Sequence, residues 1–145
     1  KKYDLDFVRE IIEQAAIVYD SKKSGILELG GGVPKNTAQQ TGPLLDQILR
    51  RNDGGQEYII QITDARPDTG GLSGATLQEG KSWGKIQDSH EGIITVYADA
   101  TIAFPILALY VLSNQKERKP KRLYKKIDQL YDKLSKDYFD NPNRD

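Results

Sequence analysis

Gly25-Ile26-Leu27-Glu28-Leu29-Gly30-Gly31-Gly32 is the stretch on which the reading of this chain turns. A short apolar run ending in three glycines suits a buried strand that enters a loop built for close approach. Upstream, Leu5, Val8, Ile12, Ala15, Ala16 and Tyr19 recur at three- and four-residue spacings, which predicts an amphipathic helix from Asp4 to Tyr19 with Asp4 as its cap. Ser24-Gly25 ends it. Downstream, Pro43 to Arg51 predicts a second helix, stopped by Asn52, Asp53, Gly54 and Gly55. Tyr58-Ile59-Ile60-Gln61-Ile62-Thr63 follows as a strand rich in β-branched residues.

The pattern continues beyond that pair of strands. Asp64 to Lys81 holds no sustained period and is dense in Gly, Asp, Thr and Pro, so it reads as a long loop of the kind that carries function. Gly92 to Ala98 supplies a third strand, and Thr101 to Leu112 a mostly apolar helix with Pro105 near its start. Lys116 to Lys126 is basic, and Leu123, Ile127, Leu130, Leu134 and Tyr138 then mark one stripe of a tail helix. A solvated linker plus a packed helix is the plain reading; a nucleic-acid or acidic-partner patch is its rival. Asn141 to Asp145 reads as a frayed end. The alternation predicts one α/β domain over residues 1–145, a Rossmann-like parallel sheet with helices on both faces plus a carboxyl-terminal helix. Ligands of such sheets sit beyond the carboxyl ends of the strands.

Composition limits the function classes. With 145 residues, 37% hydrophobic and 29% charged, the chain can build one real core. Basic and acidic residues balance at 21 each, so no global field favours nucleic acid or an anionic membrane. The absence of cysteine excludes disulfides, thiolate zinc sites and a cysteine nucleophile, and no metal is expected. The longest apolar run, Ile102 to Leu112, is too short to cross a bilayer, and no signal-like pattern opens the chain; a soluble cytoplasmic protein is expected. A start at Lys1 and the lack of any methionine suggest a fragment of something longer.

The chemistry clusters in three segments: Gly30-Gly31-Gly32-Val33-Pro34-Lys35, Glu79-Gly80-Lys81-Ser82-Trp83-Gly84-Lys85-Ile86, and Tyr97-Ala98-Asp99-Ala100-Thr101. The first and third follow strands, as does the long loop between, so these turns converge on one edge of the sheet. Neither glycine cluster spells Gly-x-Gly-x-x-Gly, and local sequence alone makes a weak case for a dinucleotide. Lys85 out of context is a solvated lysine. Trp83 is the only tryptophan and, by itself, a core aromatic; Glu79 is an exposed loop carboxylate; His90, the sole histidine, lies in the polar Asp88-Ser89-His90-Glu91 loop and reads as solvated.

Taken together and in this order, the three segments resemble the carboxyl-terminal half of deoxyhypusine synthase, from about Gly25 to about Leu112. That family uses NAD to move an aminobutyl group from spermidine to a lysine. The resemblance implies that Lys85 is the covalent nucleophile, with desolvation beside Trp83 freeing its amine. It implies that Glu79 meets a terminal ammonium, that the Trp83 ring faces a polyamine, an arrangement worth about 0.5 to 2 kcal/mol, and that Asn36, Gly70, Gly71 and Leu72 touch the same chain. Gly31, Asp64, Ala65, Ser73, Asp99 and Ala100 fall at the family's NAD contacts, Asp99 facing a ribose hydroxyl pair. A homotetramer with sites at subunit interfaces is implied as well, the family's amino-terminal half supplying the rest of each site.

Two positions depart from the pattern. Asn36 replaces a histidine and cannot act as a base, and Leu72 replaces an acidic residue, removing one ammonium contact. The bacterial deoxyhypusine-synthase-like branch shares this character. The departures leave three readings: transfer to a protein lysine, homospermidine-type transfer to a small diamine, or an inactive subunit that regulates a catalytic paralogue.

Overall fold

The computed structural model describes residues 5–51, 55–87 and 92–141. Within them run α1 (Phe7–Tyr19), β1 (Gly25–Leu29), α2 (Val33–Gln39), α3 (Thr41–Pro43), β2 (Tyr58–Thr63), α4 (Leu77–Ser82), β3 (Ile93–Tyr97), α5 (Ala100–Asn114) and α6 (Ile127–Phe139). The three strands form an all-parallel sheet in the order β1-β2-β3, with Leu27 opposite Ile60 and Ile60 opposite Ile94. The expected α/β architecture is therefore present.

Several local expectations need correcting. The residues Val33 to Lys35, read as loop, already belong to α2: Pro34 sits in its first turn, where a missing amide costs nothing. The helix placed at Pro43 to Arg51 starts earlier, at Thr41, and winds as a π-helical turn over Leu44–Ile48. The long loop ends sooner than expected, because Thr76 caps α4 by accepting from the Glu79 amide at 3.2 Å. A 3-10 turn at Leu123–Lys125 precedes α6, so the tail helix proper opens at Ile127. Asp6 caps α1, its carboxylate accepting from the Arg9 amide at 2.9 Å. The predicted cap Asp4, the stop Asn52 to Gly54, the loop carrying His90 and the final residues 142–145 lie outside the described residues.

Alternation splits the sheet into two unlike faces. One carries Ile59, Glu28, Gln61 and Thr63, all buried, and Ile59 joins Leu77 and Ile86 in a small core. On the other, Ile62 is 2% exposed, yet Leu27, Leu29, Ile94 and Val96 remain exposed although α5 packs against β2. Helix α5 is apolar on all sides and still exposes Ile102, Ile106, Leu109, Tyr110 and Leu112. A second core lies where α6 docks on α1: Ala15, Ala16, Leu45, Leu130 and Leu134. Its rim is polar, with the Tyr19 hydroxyl donating to Asp137 at 2.8 Å and Lys133 paired to Asp20 at 2.6 Å. Among the described residues no helix is long and apolar enough to cross a membrane.

Candidate functional site

The site is built from the turns that follow β1 and β2. Gly30, at φ +79°, closes the first turn by donating its amide to Ile62 O at 2.7 Å. Gly31 then passes so near the second loop that a Cβ on it would stand 2.8 Å from Ser73 Cα. Gln61, buried in β2, staples the two loops by donating to Gly30 O at 3.3 Å and Ser73 O at 3.2 Å. Two expected contact residues, Gly31 and Ser73, are thus neighbours.

Asn36 sits one turn into α2. Its Nδ2 donates to Gly32 O at 3.0 Å, which orients the amide and leaves Oδ1 to accept from Lys85 Nζ at 3.3 Å. The lysine is half-buried, and its main chain is held on both sides: Lys85 N donates to Gly80 O and Gln56 N donates to Lys85 O, each at 3.0 Å. Gly84, at φ +69°, makes the turn that leads out of α4 into this position. Gly55 is pressed against the Lys85 carbonyl, where any Cβ would collide. An anchored backbone fixes where the side chain starts.

Lys35 and Glu28 complete the cluster, and neither was among the expected site residues. Lys35 is 6% exposed, and its Nζ donates to Ala75 O at 2.7 Å and to Leu72 O at 3.5 Å. Burial pushes its pKa below the ordinary lysine value, against the nearby charge of Glu28 and with that of Lys85. Glu28 is 4% exposed and accepts from Gln39 Nε2 at 2.5 Å. Burial pushes this carboxyl up, opposed by the Gln39 bond and by Lys35. Both line a cavity of about 210 Å³ at the carboxyl end of β1, with Gly31 and Pro34. The signals existed: Lys35 ends the Gly-Gly-Gly-x-x-Lys run, while Glu28 and Gln61 interrupt otherwise apolar strands.

The remaining expected residues spread more widely. Glu79 lies on the exposed side of α4, close enough for its charge to act on Lys35. Trp83 ends that helix 63% exposed, so it is not a core aromatic. Gly70, Gly71 and Leu72 form an exposed stretch, the two glycines at φ +71° and +80°. Ala65 donates its amide to Thr63 Oγ1 at 3.1 Å, and Asp64 is exposed beside it. Asp99 Oδ1 caps α5, accepting from both Thr101 N and Thr101 Oγ1 at 2.7 Å, while Ala100 opens the helix. Those bonds, the hydroxyl first, hold the Asp99 carboxyl below its ordinary pKa.

A cleft of about 530 Å³ lies beyond the carboxyl ends of β2 and β3, lined by Asp64, Arg66, Pro67, Tyr97 and Ala98. Small-ligand sites have about 300 to 1,000 Å³. Its exposed carboxylate, its Tyr97 ring and the Arg66 guanidinium, paired here with Asp68 at 3.1 Å, are groups that could hold a ribose and a phosphate. The structure joins Lys85 to Asn36 and Gly31 to Ser73; Asp64 lines the neighbouring cleft, whose other wall reaches Ala98, the residue before Asp99.

Comparison with known proteins bears on the same segments. The family model described as deoxyhypusine synthase matches residues 1–111. The chain is 47% identical over 139 residues to a deoxyhypusine synthase-like protein of Nostoc sp., covering 92% of this chain and 36% of that protein. It is 41% identical over 145 residues to the deoxyhypusine synthase-like protein of Thermosynechococcus vestitus, again 36% of the relative's length. A probable deoxyhypusine synthase 2 of Archaeoglobus fulgidus is 42% identical over 120 residues, covering 80% of this chain and 38% of that protein. The chain thus spans little more than a third of the length of the relatives it matches.

Proposed function

The chain belongs to the deoxyhypusine synthase family, and from that premise we propose that it carries the nucleophile-bearing part of an NAD-dependent aminobutyl transferase acting on spermidine or a related polyamine. One observation carries the reading: Lys85 Nζ reaches α2, the helix that follows the glycine turn, and donates to Asn36 Oδ1 at 3.3 Å.

NAD, which Asp64 and Arg66 would hold with Gly31 and Ser73 at the loop junction, would supply the acceptance of hydride from the carbon beside a secondary amine and its return, from NADH, to the acceptor imine at the end. The chain's own residues do the rest. Lys85 captures the resulting imine carbon as a Schiff base and the diamine leaves; an acceptor amine then displaces the lysine. Asn36 orients Lys85 before the attack. Glu79 and the exposed Trp83 ring hold the cationic chain, through charge and through the indole face. The acceptor is a protein lysine or a small diamine. The bare apolar faces of α5 and of the sheet support a larger assembly, a homotetramer by family analogy, since a helix apolar all round is ordinarily buried.

Borohydride trapping tests this. Labelled spermidine and NAD, followed by reduction and peptide mapping, should place a butylamine adduct on Lys85 and none on Lys85→Ala or Lys85→Arg. An adduct on another lysine refutes the assignment. Putrescine and a candidate protein acceptor, supplied separately, then distinguish the two acceptors. A chain that traps nothing yet raises the activity of an added catalytic relative is instead the regulatory subunit that Asn36 and Leu72 would suit.

A further inference from the structure

Among the described residues, Lys35 Nζ spends its hydrogen bonds on main-chain carbonyls, Ala75 O at 2.7 Å and Leu72 O at 3.5 Å, rather than on a carboxylate. A neutral amine can donate both of these bonds and keep a lone pair. The charged groups facing it are Glu28 from β1, Glu79 from α4 and Lys85 from the segment after α4. Burial at 6% exposure favours the neutral form, the two carboxylates oppose it, and the lysine adds to it. Asn36, the next residue on α2, holds Lys85 Nζ but offers no basic atom of its own.

Resting on the reading of Lys85 as nucleophile, we propose that Lys35 is the proton acceptor of this site. The Lys85 nitrogen forms its bond to an imine or aldehyde carbon as one of its protons passes to Lys35 Nζ. In transfer from an imine, the departing amine leaves with the electron pair of the broken C–N bond and takes both protons of the attacking amine, one of them by way of Lys35 Nζ. With an aldehyde the oxygen takes the same two protons and leaves as water, and neither oxidant nor reductant enters that step. The Glu28 carboxyl, bonded to Gln39, lies near Lys35, where a negative charge favours the proton once received.

Butanal with cyanoborohydride reads this step in the full chain without NAD. Peptide mapping between pH 6 and pH 9 gives the butylation rate of Lys85 against that of exposed Lys116 and Lys121. Lys85 should react first in the wild type at neutral pH. Lys35→Met and Lys35→Arg should each slow it by about 100-fold or more, the deficit narrowing toward pH 9. Arginine carries the charge of a protonated lysine and can still donate to Ala75 O and Leu72 O, but does not give up its proton, so a lysine that served only as a charged structural donor would be rescued by it. Wild-type rates in Lys35→Arg overturn the proton-acceptor role and leave the nucleophile standing. Lys85 reacting no faster than Lys121 in the wild type overturns both. Should Lys35→Met fail to fold by circular dichroism, an NMR titration of the wild-type lysine Nζ groups decides: Lys35 titrating at the ordinary lysine value refutes the proposal.

Discussion

Gly31 and Ser73 touch across two loops, the missing side chain of one leaving space for the backbone of the other, since a Cβ at Gly31 would stand 2.8 Å from Ser73 Cα and 3.2 Å from Lys35 Cδ. The contact sets how far the turn after β1 stands from the loop after β2. Both the buried lysine and the proposed nucleotide contacts depend on that separation.

Gly31→Ala should therefore part the loops, because the nearest obstacle is backbone and cannot swing aside. We expect a loss of about 1 to 3 kcal/mol in urea unfolding, together with a lower yield of trapped Lys85. Gly30→Ala is the control: at φ +79° it strains its own backbone but meets nothing within 4 Å. A Gly31→Ala chain as stable as wild type would show that the loops slide freely.

The core joining α1 to α6 should behave as a conventional interior. Leu134 is 1% exposed among Ala15, Ala16, Leu45 and Leu130, and Leu134→Ala should cost about 2 to 5 kcal/mol. Leu109 on α5 is 68% exposed, so Leu109→Ala should change the stability of the isolated chain by less than about 0.5 kcal/mol. Equal effects in urea denaturation would contradict the division between packed and bare apolar surface.

The buried pair makes stability depend on pH in a defined sense. Glu28 has a folded pKa above its unfolded value, so its contribution is full below the ordinary carboxylate range and is lost as pH rises through the folded value. Lys35 has a folded pKa below its unfolded value, so the unfolded chain binds the extra proton and stability rises as pH climbs through the interval between the two. Glu28→Gln should remove the first slope, so that the variant gains on the wild type from mildly acidic to neutral pH. Parallel stability curves for the two proteins would refute the burial of that charge.

Asp99→Ala should lower the melting temperature with no dinucleotide present, because the carboxylate caps α5 through Thr101. Its pKa is depressed, so this support is present above the carboxylate range and fades as pH falls through the folded value. Asp99→Asn should retain most of it. An unchanged melting temperature in Asp99→Ala would assign the residue to ligand alone.

Local pattern was enough for the parallel sheet. An apolar run ending in glycines and a run rich in β-branched residues mark β1 and β2 at their observed limits, and three- and four-residue spacing marks α1 and α6 to within a few residues. The Trp-Gly-Lys element and the glycine run point to Lys85 and Gly31 only through the family resemblance they carry, since out of that context Lys85 reads as a solvated lysine. Helix α4 was hidden because only six residues form it and its cap, Thr76, looks like any other loop threonine. The partnership of Lys35 with Ala75, of Glu28 with Gln39 and of Gln61 with Ser73 had no linear signature. Each joins residues on different elements, and a polar side chain becomes a buried, perturbed one only when the sheet, α2 and the loop after β2 close over it and water is gone.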